Sequence, residues 1–268
     1  MLKVKVIQMN MHFCDVDYNY SHAEELVREA AAGADIIVLP EMWNTGFYPK
    51  NDLDVVCDDN GARTKSMMSR LAREYSVNIV AGSVANKKGG QVYNSAYIFN
   101  RKGEETAHYD KVHLFSPMGE DVSFTPGADT CTFELDGIRC GMAICYDIRF
   151  PEFIRTMALD NLDVFFVVSQ WPKARLPHID TLTRARAIEN QMFLVYANAW
   201  AEADGTIYGG HSAVIDPLGE VMCMAEDQEC IISAELDLSI VNHVRNTINV
   251  YVDRVPTLYD TSRSLAEK

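Results

Sequence analysis

The chain has 268 residues, 48% hydrophobic and 10% aromatic, with only 9 Pro and 15 Gly, which excludes fibrous and disordered classes and allows one large α/β domain or two small ones. Its 24 Lys+Arg stand against 38 Asp+Glu, a formal net charge of −14. The resulting field repels phosphate and argues against a general nucleic-acid or anionic-membrane surface, so an anionic ligand would need local cations.

The opening MLKVKVIQMN lacks the apolar core of a signal peptide, and no stretch approaches the roughly 18 consecutive apolar residues of a spanning helix, so a cytoplasmic protein is expected. Residues 3–8 read as a strand, and Ser21-His22-Ala23-Glu24 reads as a capping box opening a helix through Leu26, Val27, Ala30 and Ala31, stopped at Gly33. Ile36-Ile37-Val38-Leu39 is a strand buried on both faces and closed by Pro40-Glu41. Met67, Met68, Leu71, Ala72 and Tyr75 predict a second amphipathic helix before a strand at Asn78–Ala81. The turn sequences Lys87-Lys88-Gly89-Gly90 and Asn100-Arg101-Lys102-Gly103 make residues 79–109 antiparallel hairpins.

The second half repeats the alternation, with a strand at Ile138–Ile144, a helix at Glu152–Leu159, a buried strand at Val164–Val168, a helix at Asp180–Asn190 and a strand at Phe193–Ala197. Asp216-Pro217-Leu218-Gly219 is a turn between two further strands. Ala30–Leu39 parallels Ala158–Val168, a short match hinting at two related halves. Without an interdomain linker, the reading is one domain over 1–268, with a tail from about 240 that packs on the domain or on a partner subunit.

Glu41, Lys111 and Cys145 stand out because each follows an apolar strand, where an α/β fold presents side chains to a crevice. Cys145 lies where a strand turns sharply into a helix, a geometry that exposes a nucleophile and frees the next backbone N–H as an oxyanion donor. Only the thiolate attacks, so a base and a cation must sit nearby, and Glu41 and Lys111 are the candidates. Singly, each has an ordinary reading: a Cys on a buried strand packs as a small hydrophobe, and a Glu or Lys after a strand is solvated surface. The seven cysteines, Cys14, Cys57, Cys131, Cys140, Cys145, Cys223 and Cys230, have neither even number nor CxxC spacing and read as free thiols. His108, His113 and His211 show no metal-ligand spacing, and no glycine-rich phosphate loop is present, so neither metal nor nucleotide cofactor is expected.

Leu39-Pro40-Glu41-Met42-Trp43, Asp110-Lys111-Val112-His113-Leu114 and Cys145-Tyr146-Asp147-Ile148-Arg149-Phe150-Pro151-Glu152, in this order and at these intervals, resemble the nitrilase (carbon–nitrogen hydrolase) superfamily. Ser169-Gln170-Trp171-Pro172, Arg184–Asn190 and Gly209–Pro217 extend the resemblance over most of the chain. It implies an α-β-β-α sandwich that commonly pairs through its sheet-flanking helices into a dimer, and a Glu41-Lys111-Cys145 triad forming a thioester intermediate. It also implies a second glutamate between Lys111 and Cys145, for which Glu120 is the best match and Asp121 the competitor.

The residues after the cysteine resemble the ω-amidase branch rather than true nitrilases, which usually continue Trp-Glu. That implies a short dicarboxylate monoamide such as 2-oxoglutaramate or 2-oxosuccinamate, with Arg149 or Arg175 as carboxylate binder and Tyr146, Trp171 and Phe150 as pocket walls. Arg149 could instead pair with Glu152 at i+3, and Arg186 with Glu189 reads as a structural pair behind the site. The competing activities are hydrolysis of an N-carbamoyl amine or amino acid, or of deaminated glutathione, and the non-enzymatic alternative is an idle scaffold subunit. A catalytic Cys145 is expected to react with iodoacetamide faster than the other six cysteines.

Overall fold

The computed structural model describes residues 1–47, Pro49 and 52–263. Its first half runs β1 (Leu2–Gln8), α1 (Val16–Ala30), β2 (Ile36–Val38), a one-turn α2 (Leu53–Val56), β3 (Asp58–Asp59), α3 (Ala62–Tyr75), β4 (Asn78–Lys88), β5 (Gln91–Phe99) and β6 (Glu105–Asp110). The second runs α4 (Glu120–Ser123), β7 (Thr132–Leu135), β8 (Ile138–Ile144), α5 (Pro151–Ala158), β9 (Val164–Ser169), α6 (Leu176–Asn190) and β10 (Phe193–Asn198). A ribbon of β11 (Trp200–Ala203) and β12 (Thr206–Gly209) precedes β13 (Ala213–Ile215), β14 (Val221–Met224), β15 (Cys230–Leu236) and α7 (Ser239–Thr247).

The strands form two main sheets, ordered β15-β1-β2-β4-β5-β6 with β3 beside β4, and β14-β13-β10-β9-β8-β7. Because each central strand is apolar on both faces, each sheet packs on both. Val4, Val6, Ile36 and Val38 meet Met142, Ile144, Phe166 and Val195 between the sheets. Ile7, Ile37 and Ile79 face Tyr20, Ala23 and Val27 of α1 and Met68 and Leu71 of α3. Phe165, Val167 and Leu194 face Ile154 and Met157 of α5 and Ile179 and Ala187 of α6. This is the expected α-β-β-α sandwich.

The two halves match in topology. In each, three consecutive parallel strands sit at the centre, β1-β2-β4 and β8-β9-β10. The hinted match between Ala30–Leu39 and Ala158–Val168 falls on corresponding strands. Asp35 N donates to Lys3 O at 2.8 Å and Asp163 N to Arg139 O at 2.8 Å. Their carboxylates in turn accept from Lys3 N at 2.9 Å and Arg139 N at 3.1 Å. Each Asp therefore locks the start of a central strand to its neighbour.

Several expected boundaries shift. Helix α1 starts at Val16, capped by Asp15, whose side chain accepts from Tyr18 N, so Ser21 lies inside the helix and no capping box forms there. The apolar face continues N-terminally through Tyr20, a position whose aromatic ring the capping-box reading left out. Helices α3 and α6 likewise begin earlier, at Ala62 and at Leu176 with Pro177 in its first turn, where a missing N–H costs nothing. Strand β15 lay beyond the elements read from sequence; it pairs antiparallel with β1 from Leu2↔Leu236 to Gln8↔Cys230. In the tail, α7 buries Val241 and Val244, and Arg245 donates to Asn161 Oδ1 and Leu162 O. Residues 264–268 lie outside the described residues.

Candidate active site

Glu41, Lys111 and Cys145 follow β2, β6 and β8, and all three line one pocket. The path to Glu41 depends on a register shift in β4 between Val80 and Ser83, around Gly82 at φ +64°. There Ser83 N donates to Pro40 O at 3.1 Å, and a Cβ on Gly82 would sit 2.0 Å from that same oxygen. Glycine thus permits the β2 exit loop to lie against β4. Glu41 is 4% exposed. Its Oε1 accepts from Lys111 Nζ at 2.9 Å and Asn94 Nδ2 at 2.8 Å, and its Oε2 from Gln170 N at 2.8 Å.

Lys111 is 2% exposed and anchored through its backbone N–H to Asn94 O. Its ammonium lies between Glu41 and Glu120, whose two oxygens are 2.9 and 2.8 Å away. Burial pushes its pKa down, but the Glu120 and Glu41 carboxylates outweigh burial and hold Lys111 well above the ordinary lysine range. Glu120 also accepts from Phe115 N at 2.7 Å and from Asn94 Nδ2 at 3.2 Å. Of the two carboxylates weighed from sequence, Glu120 is buried against Lys111 and Asp121 is exposed.

Cys145 follows β8 at φ +49°, the left-handed region that costs a non-glycine residue about 1–3 kcal/mol, and opens a 3₁₀ turn over Cys145–Arg149. Cys145 is half-buried and lines the pocket. Burial pushes the thiol pKa up, the Glu41 carboxylate pushes it further, and Lys111 only partly opposes them. The surroundings of the sulfur therefore favour the neutral thiol over the thiolate. From behind, Arg186 donates to Ile148 O at 2.9 Å and pairs with Glu189 at 2.9 Å.

The pocket has an empty volume of about 540 Å³ including its mouth, a small-molecule size. Tyr146, Arg149, Trp171 and Arg175 line it with Phe47, Phe115 and Gln170. Arg149 lies 4.8 Å over the Trp171 ring and 3.2 Å from His178 Nδ1, and Arg175 lies 5.2 Å over Phe115. Among the described residues neither guanidinium has a carboxylate partner, and Glu152, the i+3 candidate for Arg149, is exposed. Trp171 is fixed by Asn198 Oδ1, which accepts from its backbone N–H at 2.6 Å, and by its own indole N–H, which donates to Arg175 O at 2.8 Å. Phe150 makes an edge contact with Tyr146 and stacks on His113 at 3.7 Å, supporting the wall without lining the cavity.

Sequence reasoning missed Asn94 and Gln170. Asn94 is 1% exposed and donates to both glutamates, and its signal was an amide on a strand face otherwise occupied by apolar side chains. Gln170 acts through a backbone N–H, which no side-chain pattern reveals. Among the described residues no group of three or more His, Cys, Asp or Glu side chains is placed to hold a metal ion, and no helix is long and apolar enough to cross a membrane.

The chain matches the carbon-nitrogen hydrolase family over residues 3–246 and belongs to it. It is an enzyme of carbon–nitrogen bond hydrolysis. Among curated proteins it is 38% identical to the 2-oxoglutaramate amidase of Bacillus subtilis, over 96% of this chain and 98% of that one. It is 30% identical to the chloroplastic omega-amidase of Arabidopsis thaliana, over 91% of this chain and 70% of that one. Among solved structures, a CN-hydrolase superfamily protein from Xanthomonas campestris, crystallised with an arsenic adduct in its active site, superposes with a TM-score of 0.89 at 27% identity and 99% coverage of both chains.

Proposed function

We propose that the chain is an ω-amidase of the cytoplasm, hydrolysing the terminal amide of short 2-oxo-dicarboxylate monoamides such as 2-oxoglutaramate and 2-oxosuccinamate. The observation that carries this reading is the pair of guanidiniums, Arg149 and Arg175, lining the same pocket as Cys145 with no carboxylate partner among the described residues. In a chain of net charge −14 such cations suit a substrate carboxylate. The name of the Bacillus subtilis relative supports the same substrate class. Tyr146 and Trp171 wall the substrate between these charges and the nucleophile. The enzyme acts as a homodimer of one-domain subunits, residues 1–268.

Glu41 takes the Cys145 proton as sulfur attacks the amide carbon. The developing oxyanion is met by Lys111 and the Tyr146 N–H, donors each worth about 3–4 kcal/mol in other hydrolases. Glu120 holds Lys111 in place. Glu41 then returns its proton to the departing nitrogen, which leaves as ammonia because an amide anion is too basic to depart. Water, deprotonated by Glu41, attacks the thioester, and the same proton passes back to sulfur as the carboxylic acid leaves.

The test is ammonia release by wild type and Cys145→Ala on 2-oxoglutaramate, 2-oxosuccinamate, glutamine, asparagine, carbamoyl amines and simple nitriles. Release confined to the oxo-acid monoamides and lost in Cys145→Ala is the expected result. Release only from a carbamoyl compound would move the substrate assignment, and silence across the panel would favour a scaffold subunit.

A further inference from the structure

Lys111 and Cys145 come from different sheets, so a device must hold the ammonium in register with the sulfur. The backbone between them offers one. Asp147 is wholly buried, two residues past Cys145. Its Oδ2 accepts from the Tyr109 hydroxyl at 2.7 Å and from Ile144 N at 2.9 Å. Its Oδ1 accepts from His113 N at 2.9 Å and lies 2.8 Å from His113 Nδ1. Tyr109 Oη in turn accepts from Val112 N at 3.2 Å. One carboxylate thus grips residues 109 and 113, which bracket Lys111, reaches residue 112 through the Tyr109 hydroxyl, and grips residue 144, which precedes Cys145.

We propose that Asp147 is the positioning residue that fixes the oxyanion-donating Lys111 relative to the strained Cys145 elbow, with Tyr109 as its principal side-chain partner. The inference rests on the reading of Cys145 and Lys111 as nucleophile and oxyanion donor. Burial, then the neighbouring Asp147 charge, pushes the Tyr109 phenol up, so it remains a donor throughout the working pH range. The carboxylate has no substitute. An amide at position 147 would turn its NH2 toward either the Ile144 or the His113 backbone N–H, leaving one buried donor facing another. A carboxylate presents acceptors on both sides and requires no such choice. The stored strain at φ +49° gives the segment a reason to relax once the grip is lost.

The experiment measures kcat and KM for ammonia release from 2-oxoglutaramate in wild type, Cys145→Ala, Asp147→Asn, Tyr109→Phe, the double variant Tyr109→Phe/Asp147→Asn and Asp58→Asn, with melting temperatures for each. Asp58 is the comparator, since it is buried, accepts from Tyr20 Oη, Arg63 N and Thr64 N, and lies outside the pocket. Asp147→Asn is expected to lose about 100-fold in kcat with KM little changed, the scale of a misplacement near 1 Å at a reacting centre. Tyr109→Phe should lose roughly tenfold in kcat while folding normally, and the double variant should be no worse than Asp147→Asn alone because both cut the same connection. Asp58→Asn should lower the melting temperature and leave kcat unchanged. Should Asp147→Asn fail to fold, Tyr109→Phe decides alone. Wild-type kcat in Tyr109→Phe, a change in KM alone, or an equal kcat loss in Asp58→Asn would overturn the inference. Wild-type ammonia release that persists in Cys145→Ala would instead sink the nucleophile assignment, and this inference with it.

Discussion

Cys145 is surrounded by more negative than positive charge, which separates it from thiols that ionise beside an imidazolium. Burial and Glu41 both raise its pKa, and the same Glu41 is the base proposed to accept its proton. Reactivity should therefore follow the base rather than a resting thiolate. Glu41→Gln is expected to slow acylation by the amide substrate, and with it turnover, by about 100-fold or more, the usual worth of a positioned general base. Single-turnover kinetics on wild type and variant check this, and an undiminished acylation rate in Glu41→Gln would contradict the base role. At this scale the sequence was informative where candidate residues sit on short contiguous motifs, as at Glu41, Lys111 and Cys145, which the fold brings to one pocket. It was weak where the contribution comes from a distant strand, as with Asn94, or from a main-chain group, as with Gln170. The choice between Glu120 and Asp121 needed three dimensions, because adjacent residues in one turn point to opposite surroundings.

Two element-level features hold the site's supports. Gly82 lets the β2 exit loop approach β4, and Gly82→Ala would need both a left-handed backbone and room 2.0 Å from Pro40 O, where none exists. That variant is expected to destabilise the fold by more than about 1 kcal/mol and to lower kcat through Glu41, checked by urea unfolding and steady-state kinetics. Asp110, next to Lys111, supports the end of β6. Burial raises its pKa, but hydrogen bonds from His108, Lys88 and Ser95 outweigh burial and bring it down to about 2. A carboxyl depressed in the folded state contributes stability above its unfolded value, near 3.9, and loses it as pH falls through the folded value. Asp110→Asn should therefore melt below wild type at pH 7, with the gap closing between about pH 4 and pH 2 as the wild-type carboxyl protonates. A constant gap across that range would show that shape, not charge, matters there. Alternation and turn chemistry made the central strands and hairpins legible. Helix starts were not, because Asp15 and Pro177 act through single caps and first turns that an apolar stripe does not mark.

Across the whole molecule, the outer face of the second helical layer connects to the site. Helix α6 buries Arg186, which holds Ile148 O behind the Cys145 elbow, and two residues later exposes Ile188 at 52%. Leu159, just past α5, is 46% exposed. Single exposed apolar residues are ordinary, but two on adjacent sheet-flanking helices suit the self-complementary surface of a twofold dimer. Covering them would stiffen α6 and, through Arg186, the turn that carries Cys145. Light scattering should give wild type twice the 30.1 kDa chain mass, and the double variant Leu159→Glu/Ile188→Glu the mass of one chain. The monomeric variant should keep its circular dichroism and lose kcat, because the elbow's buttress is then free to shift. A wild-type monomer at micromolar concentration would remove the dimer from the account. A monomeric variant with undiminished kcat would show instead that the elbow is held from within a single subunit.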